Sequence, residues 1–254
     1  MSQLRHCLGV VRRCAYAFLA QRLPALWYRR SLSPWLWPLL PFSWLFCLLL
    51  ALRSGCFRVG LCRTQSLPVP VIVVGNLSVG GTGKTPLVLW LAEALLARGW
   101  RVGIVSRGYG GDGGYGAHGQ SADPSALHQA LPESDPAQVG DEPLLLARRS
   151  GAPVFVGRDR VAAGRALLAA YPECAVILSD DGLQHRRLGR LIELCVFGAR
   201  GVGNGHLLPA GPLRATLASY FCLPKSNPDP DPDPLLQPNI LRAVIWHGAA
   251  DPRL

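Results

Sequence analysis

The first seventy residues contain no aspartate or glutamate, yet they hold nine arginines, at positions 5, 12, 13, 22, 29, 30, 53, 58 and 63. The rest of the chain is close to electrically balanced, so the net charge of +10 belongs to one end. A nucleic-acid-binding domain would carry its charge on the folded body. An acid-free, apolar, Trp-rich end suits an anionic membrane surface instead, and nucleic acid is not expected as a partner. Lysine is almost missing, with only Lys84 and Lys225 present. Paired cysteines are missing too: the eight Cys stand singly at 7, 14, 47, 56, 62, 174, 195 and 222. No CxxC and no Cys–His spacing of the zinc type occurs. Free, reduced, mostly buried thiols in a reducing cytoplasm are therefore expected. Charged residues make up only 17% of the chain against 49% hydrophobic ones, which excludes global disorder. A length of 254 residues allows one large α/β domain, with or without an appendage.

What is present begins with an uncharged run from Ser31 to Leu52, SLSPWLWPLLPFSWLFCLLLAL. Pro34, Pro38 and Pro41 are expected to break its first half, which leaves Phe42 to Leu52 as an unbroken apolar helix. A stretch of that length reads as interfacial, not spanning. Trp35, Trp37 and Trp44, with Arg53 and Arg58 beyond, suit a helix dipped into one leaflet from the cytoplasmic side. The competing reading is a buried core helix. A cleaved signal peptide does not fit, because the run starts late and no small-residue cleavage site follows it.

From Val69 the chain alternates strand and helix. Val69–Val74 reads as a buried parallel strand, Thr85–Arg98 as a helix stopped by Gly99, and Arg101–Val105 and Val154–Val156 as further strands. Arg160–Ala170 reads as a helix, with strands at Ala175–Leu178 and Leu194–Phe197. The long Gly-rich stretch holding RGYGGDGGYG is expected to be functional. After Arg214 the rhythm ends in SNPDPDPDPLLQP, where only Leu241–Trp246 offers a weak strand. The predicted organisation is a basic membrane-associating segment over 1–66, a P-loop NTPase-like α/β domain over 67–214 with a mostly parallel sheet and flanking helices, and an irregular Pro/Asp-rich tail over 215–254.

The chemistry concentrates in three places. Gly75-Asn-Leu-Ser-Val-Gly-Gly-Thr-Gly-Lys-Thr85 lies between a strand and a helix. Glycines at 80, 81 and 83 let backbone N–H groups approach phosphates, and the helix N-terminus adds its dipole. Gly80, Gly81, Thr82, Gly83, Lys84 and Thr85 are thus the predicted ATP contacts, with Lys84 on the β/γ-phosphates and the Thr85 hydroxyl on Mg²⁺. The strict spacing asks for Gly at 78, where this chain has Ser78. In a chain that otherwise prefers Arg, a lysine at 84 answers a need for its compact ammonium. Next, Ala175-Val-Ile-Leu-Ser-Asp-Asp-Gly182 is an apolar strand ending in carboxylates, with Asp180 and Asp181 as predicted metal-side groups. Third, Gly140-Asp-Glu-Pro143 opens a helix. Asp141 is there either an N-cap or the group that deprotonates an acceptor hydroxyl, and the pattern alone leaves both open.

GNLSVGGTGKTP, SRGYGG, GDEPLLLA, the Arg158–Arg160 segment, SDDGLQHRRL and GNGHLLPAGPLR occur in that order. From about Ser33 to Arg214 this resembles the tetraacyldisaccharide 4′-kinase family of Gram-negative lipid A biosynthesis. The resemblance implies a two-lobed α/β kinase held at the cytoplasmic face of the inner membrane by its N-terminal helix. It implies transfer of the γ-phosphoryl of ATP, with Mg²⁺, to the 4′-hydroxyl of a lipid disaccharide. It also implies that Asp141 is the catalytic base, that Gln184 and His185 line metal and phosphates, that Arg107 and Tyr109 meet the lipid, and that Arg214 lies beside the nucleotide. The family pattern continues LREP where this chain has Ala215 and Thr216, has Asp where this chain has Leu191, and continues into a second lobe. The abrupt change after Arg214 reads as a frame shift or truncation, so weak nucleotide binding and little activity are expected of this chain. Two alternatives stand beside the kinase. One is a regulatory ATPase of the partition type, whose signature lysine is replaced here by Val79; the other is a non-catalytic nucleotide-binding remnant.

Overall fold

The computed structural model describes residues 22–29, 31–108, 127–217, 220 and 240–246. They fall into two compact units, one within 1–53 and 200–222, the other within 54–199 and 223–254.

The larger unit is built on a seven-stranded sheet. Its strands are β1 (Val71–Gly75), β2 (Val102–Ser106), β3 (His128–Ala130), β4 (Val154–Val156), β5 (Val176–Asp180), β6 (Ile192–Phe197) and β7 (Leu241–Trp246), in the order β3-β4-β2-β5-β1-β6-β7. Every pairing is parallel except β3 on β4. Parallel strands covered on both faces become continuous apolar runs, and every residue of β2, β4 and β5 is buried. Successive side chains point to opposite faces. Val102, Ile104, Val176 and Leu178 share one core with Val88, Leu89 and Ala92 of α2 (Lys84–Leu96) and Leu144 and Leu146 of α4 (Asp141–Ser150). On the other face α5 (Arg160–Ala170) packs so closely that a Cβ on Gly103 would lie 2.6 Å from Leu167. Asp159 caps α5, accepting from the backbone N–H groups of Val161 and Ala162.

The expected elements are present, with shifted ends. β1 starts at Val71 and runs to Gly75, α2 stops at Leu96, β2 runs one residue later, and β5 and β6 extend to Asp180 and back to Ile192. Leu241–Trp246 is a strand after all, paired with β6 over six positions. The antiparallel β3 and the four-residue α3 (Pro136–Val139) lie in what reads from sequence as loop. Both are too short to show a period.

In the smaller unit the prolines do less damage than expected. Pro34 and Pro38 are accommodated in a 3₁₀ turn, Pro34–Leu39. Pro41 falls in the first turn of α1 (Leu40–Arg58), where its missing N–H has no partner to lose. The helix therefore has 19 residues, longer than Phe42–Leu52, and it is not a core helix: Ser43 is its one buried residue. The Ser43 hydroxyl donates to Leu207 O and accepts from Ala210 N, both at 2.9 Å, and so fastens the helix to the HLLPAGPLR loop. Asn204 knits the same loop, donating to Ala210 O and accepting from His206 N. The described thiols are free, as expected, but not mostly buried. Cys174 and Cys195 are buried, but Cys47 and Cys62 are exposed.

Candidate active site

Two neighbouring strands deliver the site. The register sets Val74 of β1 beside Asp180 of β5, so the turn leaving β1 and the carboxylates leaving β5 emerge together at the C-terminal edge. Asn76, fully buried, organises the turn: its Nδ2 donates to Ser78 O at 2.6 Å and Gly80 O at 3.3 Å, and its Oδ1 accepts from Lys84 Nζ at 3.2 Å. Gly80 (φ 113°) and Gly83 (φ 81°) occupy the left-handed region that favours glycine. Ser78 does not, which explains why a serine serves at the position where the strict motif asks for glycine. Gly83 caps α2, whose first turn carries Lys84 and Thr85.

The Lys84 ammonium also lies 3.5 Å from Asp181 Oδ1. Asp181 is the sole described non-glycine residue at positive φ (50°), a conformation Asp tolerates better than most. Asp180 is 1% exposed. Burial first, then the charges of Glu142 and Asp181, raise its carboxyl from the ordinary 3.8 to about 7, against the pull of Lys84 and Arg160. Arg160 is buried as well; its guanidinium donates to Asp180 O at 3.1 Å and Gly157 O at 2.8 Å. Desolvation lowers it to about 10, with Asp180 and Asp181 opposing and Arg107 adding to the fall.

Gln184 donates to Asn76 O at 3.0 Å and thus braces the turn. His185 faces Asp159, 3.8 Å from its carboxylate. Burial and the nearby Arg160 hold its imidazole down to about 4, so it is neutral at physiological pH. Asp141 is not the N-cap; Gly140 is, with no side-chain cap bond, and Asp141 stands exposed in the first turn of α4. Beside it is a residue that motif reading passed over. Glu142 is the second-largest cause of the Asp180 shift, which places its carboxylate among the site's charges. Its signal was adjacency to Asp141 in GDEP. Arg214 belongs to the smaller unit, and Tyr109 lies outside the described residues.

ATP and Mg²⁺ fit this donor set. Thr82 Oγ1, Ser179 Oγ and Asp180 Oδ1 are buried with no protein hydrogen-bond partner, a condition that polar atoms rarely tolerate without a ligand or water. Hydroxyl and carboxylate oxygens suit a hard cation that keeps phosphate and water as its other ligands. Among the described residues no three His, Cys, Asp or Glu side chains gather into a metal cage.

The family model described as tetraacyldisaccharide-1-P 4′-kinase matches residues 35–221. Tetraacyldisaccharide 4′-kinase of Acidovorax sp. (strain JS42) is 54% identical over 77% of this chain and 54% of its own length. The Herminiimonas arsenicoxydans protein of the same name is 47% identical over 89% of this chain and 60% of its own. The crystal structure of "apo" form LpxK from Aquifex aeolicus in complex with ATP superposes with a TM-score of 0.62 at 34% identity, covering 73% of this chain and 56% of that one. The chain thus spans about half the length of the curated relatives it matches. With the family model covering most of the chain, on a P-loop whose lysine meets the strand-end aspartate, this protein belongs to the tetraacyldisaccharide-1-P 4′-kinase family.

Proposed function

We propose that the chain carries the nucleotide-binding lobe of an ATP- and Mg²⁺-dependent kinase that phosphorylates the 4′-hydroxyl of a tetraacyldisaccharide 1-phosphate in lipid A biosynthesis. The observation that carries this reading is Lys84, held between Asn76 Oδ1 and Asp181 Oδ1 at the mouth of a glycine-rich turn. An ammonium so held neutralises phosphate charge as it builds up during transfer, and costs no reorganisation. MgATP would supply the phosphoryl group and the remaining charge neutralisation. Backbone N–H groups from Gly80 to Thr85 hold its phosphates, and Thr85, Asp180 and Asp181 are the groups that would hold the cation. Asp141, exposed on the first turn of α4, accepts the proton of the acceptor hydroxyl. Gln184 keeps the turn in shape, while Arg107 and Tyr109 meet the lipid.

The membrane reading rests on α1. Trp35, Trp37, Phe42, Trp44, Leu45, Leu48, Leu49 and Leu52 are all exposed. Pro34–Arg58 is long and apolar enough to cross a bilayer by length and composition. Tryptophans near its start and Arg53 and Arg58 near its end favour an in-plane seat in the cytoplasmic leaflet of the inner membrane, with the protein peripheral.

Thin-layer assay with labelled ATP and the lipid acceptor tests the whole reading. MgATP bound by the chain and lost in Lys84→Ala, with little label reaching the disaccharide, is the expected result. MgATP binding without any transfer would reduce the chain to a nucleotide-binding module.

A further inference from the structure

The loop between β5 and β6 is held from beneath by a single guanidinium. Arg190 donates from Nε to Leu188 O at 3.0 Å and from Nη1 to Gly182 O at 3.3 Å and Leu183 O at 3.4 Å. Its Nη2 donates to His185 O. Four carbonyls of one seven-residue stretch thus converge on one side chain. The planar fork of arginine can serve that geometry, and the compact ammonium of lysine cannot. Arg190 is in turn fixed by Glu193 on β6, Nη1 to Oε1 at 3.1 Å, with both side chains only 5% exposed. The other Glu193 oxygen accepts from Arg242 Nε on the edge strand β7 at 2.9 Å. The middle of the loop is tied down as well, with Arg186 donating to Ser54 Oγ at 2.7 Å and Thr64 Oγ1 donating to Arg186 O at 3.3 Å.

What this stretch delivers is Gln184, whose amide grips the backbone of Asn76, the residue that shapes the glycine-rich turn and receives Lys84. None of Arg190, Glu193 or Arg242 reaches the phosphate side of the turn by any of these bonds. We propose that Arg190, oriented by Glu193, is a positioning residue for nucleotide binding: it holds the 182–188 loop in the shape that lets Gln184 brace the P-loop. The connection runs Glu193, Arg190, loop carbonyls, Gln184, Asn76, Lys84, and Arg242 makes the edge strand its outer anchor. This deepens the nucleotide reading above and rests on it.

The test uses the 254-residue chain in detergent micelles, with MgADP as the probe and amide hydrogen exchange as a second readout. Arg190→Lys keeps the charge and loses the fork. The pair Arg190→Gln with Glu193→Gln removes both charges of the buried pair together, and Arg242, whose side chain is 18% exposed, keeps an amide oxygen as acceptor in place of the carboxylate. Both should speed exchange across 182–188 while β1 and β5 amides keep their protection, and both should weaken MgADP by about 10- to 100-fold, the scale of a lost outer-shell partner. Full affinity with unchanged loop exchange in Arg190→Lys would overturn the proposal, as would faster exchange spread through the whole sheet. If the unaltered chain fails to bind MgADP, the nucleotide reading falls and the binding half of the proposal falls with it. The loop exchange then still decides whether Arg190 is the latch.

Discussion

At the C-terminal edge of the sheet a carboxylate, Asp180, is 1% exposed, whereas along the N-terminal helix Trp35 is 83% exposed and Leu45, Leu48 and Leu49 are each 54% exposed. The two regions depart from ordinary sorting in opposite directions, and each departure has an unfavourable term that a partner would relieve. A buried carboxylate is stable only with a counter-charge, a proton or a metal ion, and here burial, Glu142 and Asp181 push Asp180 up to about 7 against the pull of Lys84 and Arg160. Exposed aliphatic and indole side chains in one continuous helix are stable only where water is thin. Isolated apolar side chains on a surface mean little, as with Trp90 on the outer side of α2. A run of them on an acid-free segment is what the proposal of a membrane-surface seat rests on.

The comparison is broken most forcefully on the apolar side. Replacing Leu45, Leu48 and Leu49 together by Ser removes side chains worth about 1.5–3 kcal/mol each when fully buried. Partitioning onto anionic vesicles should fall by at least about 10³-fold on that basis, with the melting of the larger unit unchanged. Undiminished co-sedimentation, measured at low and high salt, would show that arginine charge alone holds the protein down.

On the polar side, Lys84→Ala should cost about 10²–10³ in MgATP affinity or phosphoryl transfer, as for one lost preorganised donor. The fold should survive, since Lys84 bonds Asn76 and Asp181 but holds no core. Calorimetric titration beside a melting curve checks both halves.

Acidity sharpens the comparison further. Asp180 holds its proton in the folded state up to about 7 but only to an ordinary 3.8 when unfolded, so the folded chain binds more protons between those values. Its contribution to stability is complete below about pH 4 and is lost as pH rises through 7. His185 acts in the opposite sense. With a folded value near 4 against 6.5, its contribution is lost as pH falls from 6.5 toward 4. In the unaltered chain the two largely offset each other. Asp180→Asn should therefore reveal a melting temperature that climbs from pH 4 to 6.5, and a flat profile would mean that His185 is not held neutral. Mg²⁺ competes with the Asp180 proton, so MgATP binding should tighten from pH 6 to 8 in the unaltered chain and lose that slope in the variant.

The smallest effect concerns packing under the turn. A Cβ on Gly75 would lie 2.7 Å from Leu183 Cγ. Gly75→Ala should destabilise by about 1–3 kcal/mol, as overpacking does, and shift the loop that bears Gln184. Equal denaturant midpoints for both proteins would contradict the closeness of strand and loop.

Much of this was legible because its causes are local. β4, α5 and β7 have the bounds that their residues announce, with Asp159 capping α5 and β-branched runs marking the strands. The glycine-rich turn, its lysine and the strand-end aspartates were equally plain, since phosphate binding needs backbone shape over a few consecutive residues. The extent of α1 was misjudged because a proline stops a helix only when an N–H is needed, and position within the turn decides that. Asp141 is legible in GDEP as cap or base, whereas the part played by Glu142 depends on its approach to Asp180, which no local pattern gives.

Composition and spacing by themselves determined a P-loop α/β chain with an apolar, acid-free N-terminal segment, because periodicity, glycine placement and charge distribution are properties of neighbouring residues. Tertiary structure alone decided that β5 lies next to β1, that Glu142 reaches the field of Asp180, and that Arg190 gathers four loop carbonyls beneath the site. Strand order, burial and the charge state of a buried carboxylate arise from contacts between segments tens of residues apart. No local pattern encodes those distances, and at short range in a low-dielectric interior the distances set the energies.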